Sequence, residues 1–395
     1  MKKVLISTTV SGFVPQFEMN NVRMLQAMGY EVHYATNYNM VSYGKDNHRL
    51  DGTGIVRHHI DYTRSPFQIK ENMVAYRQLK KLMEQEQFEL LHCHTPVAAV
   101  LSRLVARKYR KNGMKVVYTA HGFHFFRGAS VKYWLMFYTA ERLLANFTDV
   151  LITINEEDYT RAERFCRRKK TKVVQLPGVG IDTAYWSGQA LSEEEKSGLR
   201  HEMREELGLK EGQLAMVSVG ELIPRKNHSE VICALGNLVR KHQADNMLPF
   251  HYFICGHGDL QEELKQLIAE EGLEQYVTLL DYREDMRRVL FGMDLFLFPS
   301  KQEGMPMAML EAVTAGLPVI ARDARGNRDI VKVMGQRGHI YFAKEELEQL
   351  LMQILVEKKE LFSKETEIDM RRFDIGIVKE RMKEIYAELL VEKEK

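Results

Sequence analysis

The 395-residue chain is short of several things, and each shortage excludes something. Its four cysteines, Cys93, Cys166, Cys233 and Cys255, form no CxxC pair and no zinc-ligand spacing. Two scattered thiols per half point to buried cysteines in a reducing compartment and not to a disulfide framework. Only nine prolines occur, against 45% apolar and 28% charged residues, which excludes collagen, coiled coil and wholesale disorder. No run of about 18 apolar residues exists, so nothing is expected to span a bilayer. The opening MKKVLISTTV starts like a signal peptide, but its apolar run is short and broken by Ser7, Thr8 and Thr9. A first buried strand and a cytoplasmic protein are the expectation.

Net charge is nearly absent too, at +2 from 56 basic and 54 acidic residues. That neutrality is a sum of opposites. Residues 1–180 hold 27 Lys/Arg against 15 Asp/Glu, and the remainder holds 29 against 39. A basic half joined to an acidic half is a cue for an anionic surface.

Length favours two domains, and the pattern repeats twice. Short apolar, β-branched runs at 3–8, 31–35, 56–60, 90–93, 116–119, 150–154 and 173–176 alternate with helical stretches such as 20–28, 73–86 and 98–111. A second series follows at 215–220, 250–255, 277–280, 295–298, 318–321 and 339–342. Alternating strand and helix predicts an α/β fold with parallel sheets covered on both faces. The polar segment 187–209 marks the junction. The expected division is 1–185, 186–375 and a C-terminal helix within 376–395 that returns to the first domain. Two doubly wound domains facing a cleft bind ligands at the carboxyl ends of their strands.

The most informative stretch is DLFLFPSKQEGMPMAMLEAVTAGLPVIARD, residues 294–323. A strand ends at Pro299-Ser300, a loop follows, and Pro306 suits the first position of a helix that Gly316 stops. The free amides of that helix start, at Met307 and Ala308, suit a phosphate. Glu303 precedes it and Glu311 lies one turn and more beyond. Two carboxylates flanking a phosphate position fit a nucleotide-sugar, with hydroxyls on either side. A paired-carboxylate hydrolase is a second reading, but hydrolysis has no use for a phosphate-binding helix start. In SVGELIPRKNHSE, residues 218–230, Gly220 ends a strand, and Arg225-Lys226 in the following turn neutralise a pyrophosphate.

At these residues the sequence resembles a two-domain GT-B glycosyltransferase of family 4. Glu303 and Glu311 match its E-x7-E signature, and Gly220, Arg225 and Lys226 its Gly-x4-Arg-Lys element. Residues 316–331 also fit. In the first half YTAHGFHFFRGAS, ERLLANFTDVLITINEEDY and VVQLPGVGID resemble bacterial capsular and exopolysaccharide glycosyltransferases. The resemblance implies a retaining enzyme that needs no metal and no cofactor. It would move a hexose or N-acetylhexosamine from a UDP-sugar to a lipid-diphosphate-linked saccharide. Glu303 would hold donor-sugar hydroxyls, and the backbone of Gly304, Met305, Pro306, Met307 and Ala308 would contact sugar and diphosphate. Glu311 would hold the ribose, and Arg225 and Lys226 the leaving diphosphate. His121 would sit near the anomeric centre. Where many members carry Gly-Gly in the first loop, this chain has the single Gly12, a contact to donor or acceptor. In this scheme the acceptor proton passes to the departing phosphate, without a protein base.

Two basic stretches, 102–115 and 161–172, flank the aromatic-rich 123–138. Arg103, Arg107, Arg110 and Lys111 recur at helical spacing and are expected to form one basic stripe. Such a stripe attracts anionic lipid, with aromatics at the headgroup layer. The protein is therefore expected at the inner face of the cell membrane. No nucleic-acid reader motif occurs, and no G-x-G-x-x-G follows the first strand, which disfavours a dinucleotide oxidoreductase. The other readings are a GT-B enzyme with a soluble acceptor and a non-catalytic sugar-nucleotide-binding subunit.

Overall fold

Each apolar run becomes a parallel strand in the computed structural model, which describes residues 1–44, 46–242, 249–357, 359–362 and 368–390. The last residues assigned to the C-terminal helix by sequence, 391–395, lie outside that set. Contacts divide the chain into two units, residues 1–180 with 376–395, and residues 181–375.

The first unit holds β1 (Lys2–Val10), β2 (Tyr30–Asn37), β3 (Val56–His59), β4 (Phe88–Cys93), β5 (Lys115–Ala120), β6 (Val150–Thr153) and β7 (Lys172–Gln175), in the order β3-β2-β1-β4-β5-β6-β7. Alternation along each strand splits its core into two layers. Leu5 and Leu91 face one layer, with Leu79 and Leu82 of helix Ile69–Gln85 and Ala98 of helix Pro96–Tyr109. Val4, Ile6 and Leu90 face the other, with Val22 and Leu25 of helix Met19–Ala27. That second layer is completed by Met382, Ile385 and Tyr386 of the C-terminal helix Ile375–Leu390.

The second unit holds β8 (Leu214–Val219), β9 (Phe250–Cys255), β10 (Val277–Asp281), β11 (Leu295–Phe298), β12 (Val319–Arg322) and β13 (Gly338–Tyr341), in the order β10-β9-β8-β11-β12-β13. The polar stretch 187–209 is not extended linker. It carries helix Glu193–Glu206, opened by a Ser192/Glu195 capping box and tied down by Arg200 and Arg204 on Asp294 at 2.5 and 3.0 Å. In each sheet the order reverses beside the first strand, at β1/β4 and at β8/β11. Loops leaving these neighbours diverge and open a crevice at their carboxyl ends.

The basic stripe needs correction. Arg103 is fully buried, not surface-facing. Its guanidinium grips Glu141 in a bidentate pair at 2.7 and 3.0 Å and lies 4.0 Å over the Tyr118 ring. Arg110 is spent on Asp149, at 3.1 and 2.7 Å. Only Arg107 and Lys111 of the four stay exposed. Helical spacing placed the four on nearby faces, but could not see the two carboxylates from 38 and 39 residues further along.

Candidate active site

The crevice of the second unit is built from the turns after β8 and β11. Strand adjacency brings Arg225 and Lys226 beside Ser300 and Glu303, some 75–78 residues later in sequence. The backbone N–H of Lys301 donates to the Arg225 carbonyl at 2.9 Å, locking the turns together. Glu303 is nearly buried, and one carboxylate oxygen accepts from Lys226 Nζ at 2.7 Å, Arg225 Nη1 at 3.1 Å and Ser300 Oγ at 2.6 Å. Arg225 Nη1 also reaches the Gln302 carbonyl at 2.9 Å. Sequence reading assigned Glu303 and the two cations to separate tasks; the fold joins them in one ion-paired cluster. Lys226 also lies 5.0 Å over the Phe298 ring, and its stem runs past Gly220, where a Cβ would sit 3.1 Å from it.

Helix Met307–Thr314 starts directly after this cluster. Pro306 is its N-cap, with extended backbone, and not its first helical residue. The amides of Met307 and Ala308 are thus among the free donors of a helix start. Gly304 and Pro306 are buttressed from behind. A Cβ on Gly326, in helix Arg325–Met334, would collide with the Gly304 carbonyl and come within 2.8 Å of Pro306 Cδ. Glu311 is largely enclosed, and burial raises its carboxyl to about 7. A hydroxyl donor would offset that burial; a phosphate would not.

Several contributors escaped the sequence reading. Ser300 orients Glu303. His228, at the start of helix His228–His242, is buried against the backbone of Gly220 and Glu221, and burial lowers it to about 4. Gly256 and Gly258, in the turn after β9, allow it to press on the backbone of Gly220 and Leu222. The CGHGD stretch is the signal that was available for the last two.

The first unit has its own polar centre at the β1/β4 carboxyl ends. His121 follows β5, and the Phe123 N–H donates to buried Asp158 at 3.1 Å, which holds the TAHGFH loop. His121 Nε2 meets His94 Nδ1 at 3.1 Å, and Phe13 packs on both rings at 5.0 and 5.4 Å. Gly12 is explained without a ligand, because a Cβ there would strike the Ser42 carbonyl. Glu18, His92 and His94 join His121 here, and no feature of the sequence reading had singled them out. The alternating histidines of LHCHTP were the visible sign.

Residues 200–366 match the family described as Glycosyl transferases group 1, and residues 19–184 match Glycosyltransferase Family 4. The putative glycosyltransferase EpsD of Bacillus subtilis (strain 168) is 34% identical over 331 residues, 84% of this chain and 81% of that one. An Escherichia coli protein, UDP-Gal:alpha-D-GlcNAc-diphosphoundecaprenol alpha-1,3-galactosyltransferase, is 30% identical over 66% of this chain and 65% of its own. Among solved structures, HepE of Anabaena in complex with UDP-glucose superposes with a TM-score of 0.68 at 18% identity, covering 98% of this chain and all of that one. WaaG, a glycosyltransferase involved in lipopolysaccharide biosynthesis, gives 0.67 at 18% identity over 97% and 99%. Two parallel-sheet Rossmann-like units, the Glu303–Glu311 helix start with its Arg225–Lys226 pair, and these relatives converge on one conclusion: the chain belongs to glycosyltransferase family 4 and is a GT-B glycosyltransferase.

Proposed function

We propose that the chain transfers a hexose or N-acetylhexosamine from a UDP-sugar to a lipid-diphosphate-linked saccharide, with retention of anomeric configuration, in the assembly of a capsule or exopolysaccharide. The observation that carries this is the Arg225–Lys226–Glu303 cluster beside the helix start at Met307. Breaking the bond between sugar and diphosphate leaves negative charge on the phosphate oxygen, and preorganised cations there lower the barrier most. Arg225 and Lys226 supply that charge and stand in for a metal ion. Glu303 keeps the two cations in place and turns its remaining oxygen to donor-sugar hydroxyls. Glu311 takes a ribose hydroxyl.

The donor class is supported by the UDP-glucose in the HepE structure. The acceptor class is supported by the Escherichia coli relative, whose name specifies a diphosphoundecaprenol-linked GlcNAc. A membrane-borne acceptor also suits one surface of the first unit. Val131 and Leu135, one turn apart, are 74% and 69% exposed, and Leu143 is 60% exposed. Lys132 and Arg142 stand among them, with exposed Arg107 and Lys111 on the helix and turn after β4. Apolar side chains among cations are the composition of an interfacial anchor. No described helix is long and apolar enough to cross a membrane.

The test is a panel of UDP-sugars with the purified chain, read first as protection from thermal unfolding. Transfer to GlcNAc-diphosphoundecaprenol in detergent, with EDTA present, follows. One UDP-sugar should raise the melting temperature and be consumed, giving an α-linked product from an α-linked donor. Transfer to free saccharides but never to the lipid-linked one would move the enzyme to the soluble-acceptor class. Donor binding without any turnover would make it a binding subunit.

A further inference from the structure

Glu18, in the buried centre of the first unit, is a carboxylate without a cationic partner. It closes the π-helical turn Val14–Glu18 after β1 and is 2% exposed. Asn21 Nδ2 donates to its Oε2 at 2.6 Å, and its Oε1 faces His94 Nδ1 at 3.6 Å. Among the described residues, no Lys or Arg forms an ion pair with it. Lys379 of the C-terminal helix lines the same cavity of about 30 Å³ but does not pair with it. An ionised carboxylate so enclosed needs a cation or several donors to offset its desolvation.

Two imidazoles stand beside it. In LHCHTP, residues 91–96, successive side chains alternate between faces at the end of β4. His92 and His94 therefore share one face, while Cys93 joins the opposite core layer. The His94 backbone N–H donates to the Ser7 carbonyl at 2.9 Å, which continues the β1/β4 ladder past the strand and fixes the ring's position. Both rings are wholly buried. His92 meets Tyr386 Oη at 2.7 Å and Thr119 Oγ1 at 2.8 Å. His94 Nδ1 meets His121 Nε2 at 3.1 Å, and His94 Nε2 has no partner. One donor atom from each of Glu18, His92 and His94 lies within 4.8 Å of the other two.

We propose that Glu18, His92 and His94 form a site for one divalent d-block cation, of which Zn²⁺ is the representative. Two imidazoles and one carboxylate are a donor set for Zn²⁺ and its neighbours, whereas Mg²⁺ and Ca²⁺ take oxygen alone. Bonds of about 2.0–2.2 Å in a tetrahedron set donor atoms about 3.4 Å apart. The 3.6 Å between Glu18 Oε1 and His94 Nδ1 is close to that edge. The widest gap in the group, no more than 4.8 Å, closes with a movement of about 1.5 Å.

Outer partners that orient such ligands are already in place. Asn21 holds the second oxygen of Glu18. His92 bound through one nitrogen keeps a hydroxyl, of Tyr386 or of Thr119, on the other. Burial lowers His92 to about 3 and His94 well below its usual range, so both rings are in the neutral form that ligates. The cavity beside Glu18 has room for about one or two waters, enough to complete the coordination. The ion takes no step in glycosyl transfer, and the transfer reading above neither requires nor forbids it. It ties the turn after β1 to the end of β4, and so stabilises the first unit.

The test titrates the full chain, freed of metal by a chelator, with ZnCl₂ in a calorimeter and with CoCl₂ under visible absorption and proton NMR. A pH of about 8 suits it, above the value of about 7 to which burial raises Glu18. One Zn²⁺ per chain should bind with a Kd of about 1 μM or below, and the melting temperature should rise with free Zn²⁺. Co²⁺ should give the strong visible bands of low coordination and two shifted, exchangeable imidazole N–H signals, one per ligating ring. Glu18→Gln and His94→Asn should each weaken Zn²⁺ binding about 100-fold or more and remove the bands, whereas Asn21→Ala should weaken it about 10-fold, as an outer partner does. No stoichiometric binding at about 100 μM Zn²⁺ overturns the site. So does affinity unchanged in both ligand variants, which would put the ion on exposed histidines such as His48 or His257. If the variants fail to fold, wild-type Co²⁺ spectra decide: two imidazole signals support the site, and none overturns it. Transfer is assayed separately in EDTA, so its failure counts against the transfer reading and leaves the metal site untouched.

Discussion

Individual residues are where this protein departs most from what its patterning announces. Arg103 reads as one of four cations on a helix face, yet it is buried against Glu141. Removing one member of such a pair strands the other in low dielectric. Arg103→Ala should therefore cost about 3–5 kcal/mol in denaturant unfolding, whereas Arg103→Met with Glu141→Leu should come close to wild type. Lys226 sits at the other extreme, because the proposed transfer gives it a part in the chemistry. Lys226→Ala should lower kcat about 100- to 1,000-fold, the scale for deleting one donor to a developing oxyanion, with little change in unfolding midpoint. Near-wild-type turnover would remove the leaving-group role. Glu311 gives a pH prediction. Its folded pKa of about 7 lies above the ordinary glutamate value of 4.5, so the native state holds the proton more tightly. The stability this contributes is complete below about 4.5 and is lost as pH rises through about 7. Glu311→Gln should accordingly gain on wild type between pH 5 and pH 8 in urea midpoints; equal differences at both pH values would refute the raised pKa.

Elements were far more legible than residues. Buried parallel strands are short, β-branched and flanked by turn residues, and that signature depends only on local sequence. β9 and β11 fall on the residues expected, and the other strands shift by a residue or two at their ends. The helix start at Met307 was legible for the same reason, since Pro306 and Gly316 are local punctuation. What local sequence could not reveal is which loop lies behind another. Gly326 is the case in point: it belongs to a different helix, yet its missing side chain is what lets the Gly304–Pro306 loop settle. Gly326→Ala should push that loop and lower kcat/KM for the donor by up to about 100-fold, the scale for a misplacement near 1 Å. Unchanged donor kinetics in a folded Gly326→Ala protein would show the packing to be irrelevant to the site.

For the whole molecule, charge is the informative quantity. The C-terminal residues 376–395, which join the first unit, carry five basic and five acidic side chains. The basic excess of that unit is therefore the same as that of residues 1–180. Its exposed part includes Arg107, Lys111, Lys132 and Arg142, whereas Arg103 and Arg110 are engaged internally. The full chain should bind vesicles containing anionic lipid, and binding should weaken as salt rises, because contacts of this kind are screened within about 10 Å at 0.1 M. Val131→Asp with Leu135→Asp should release it in a flotation assay. Salt-independent or undiminished binding by that variant would rule out this surface as the anchor.

By itself, the sequence determined the α/β class, the strands, the helix start after Pro306 and the family, because all of these are written in short-range periodicity and contiguous motifs. Tertiary structure alone decided that Glu303 pairs with Arg225 and Lys226 and that Arg103 is interior. It also decided that Glu18, His92, His94 and His121 share one buried centre with Tyr386, which lies 294 residues from His92. The physical reason is the same in each case. A charged side chain's environment is set by which groups the sheet order brings within a few ångströms, and sheet order is a property of the folded chain.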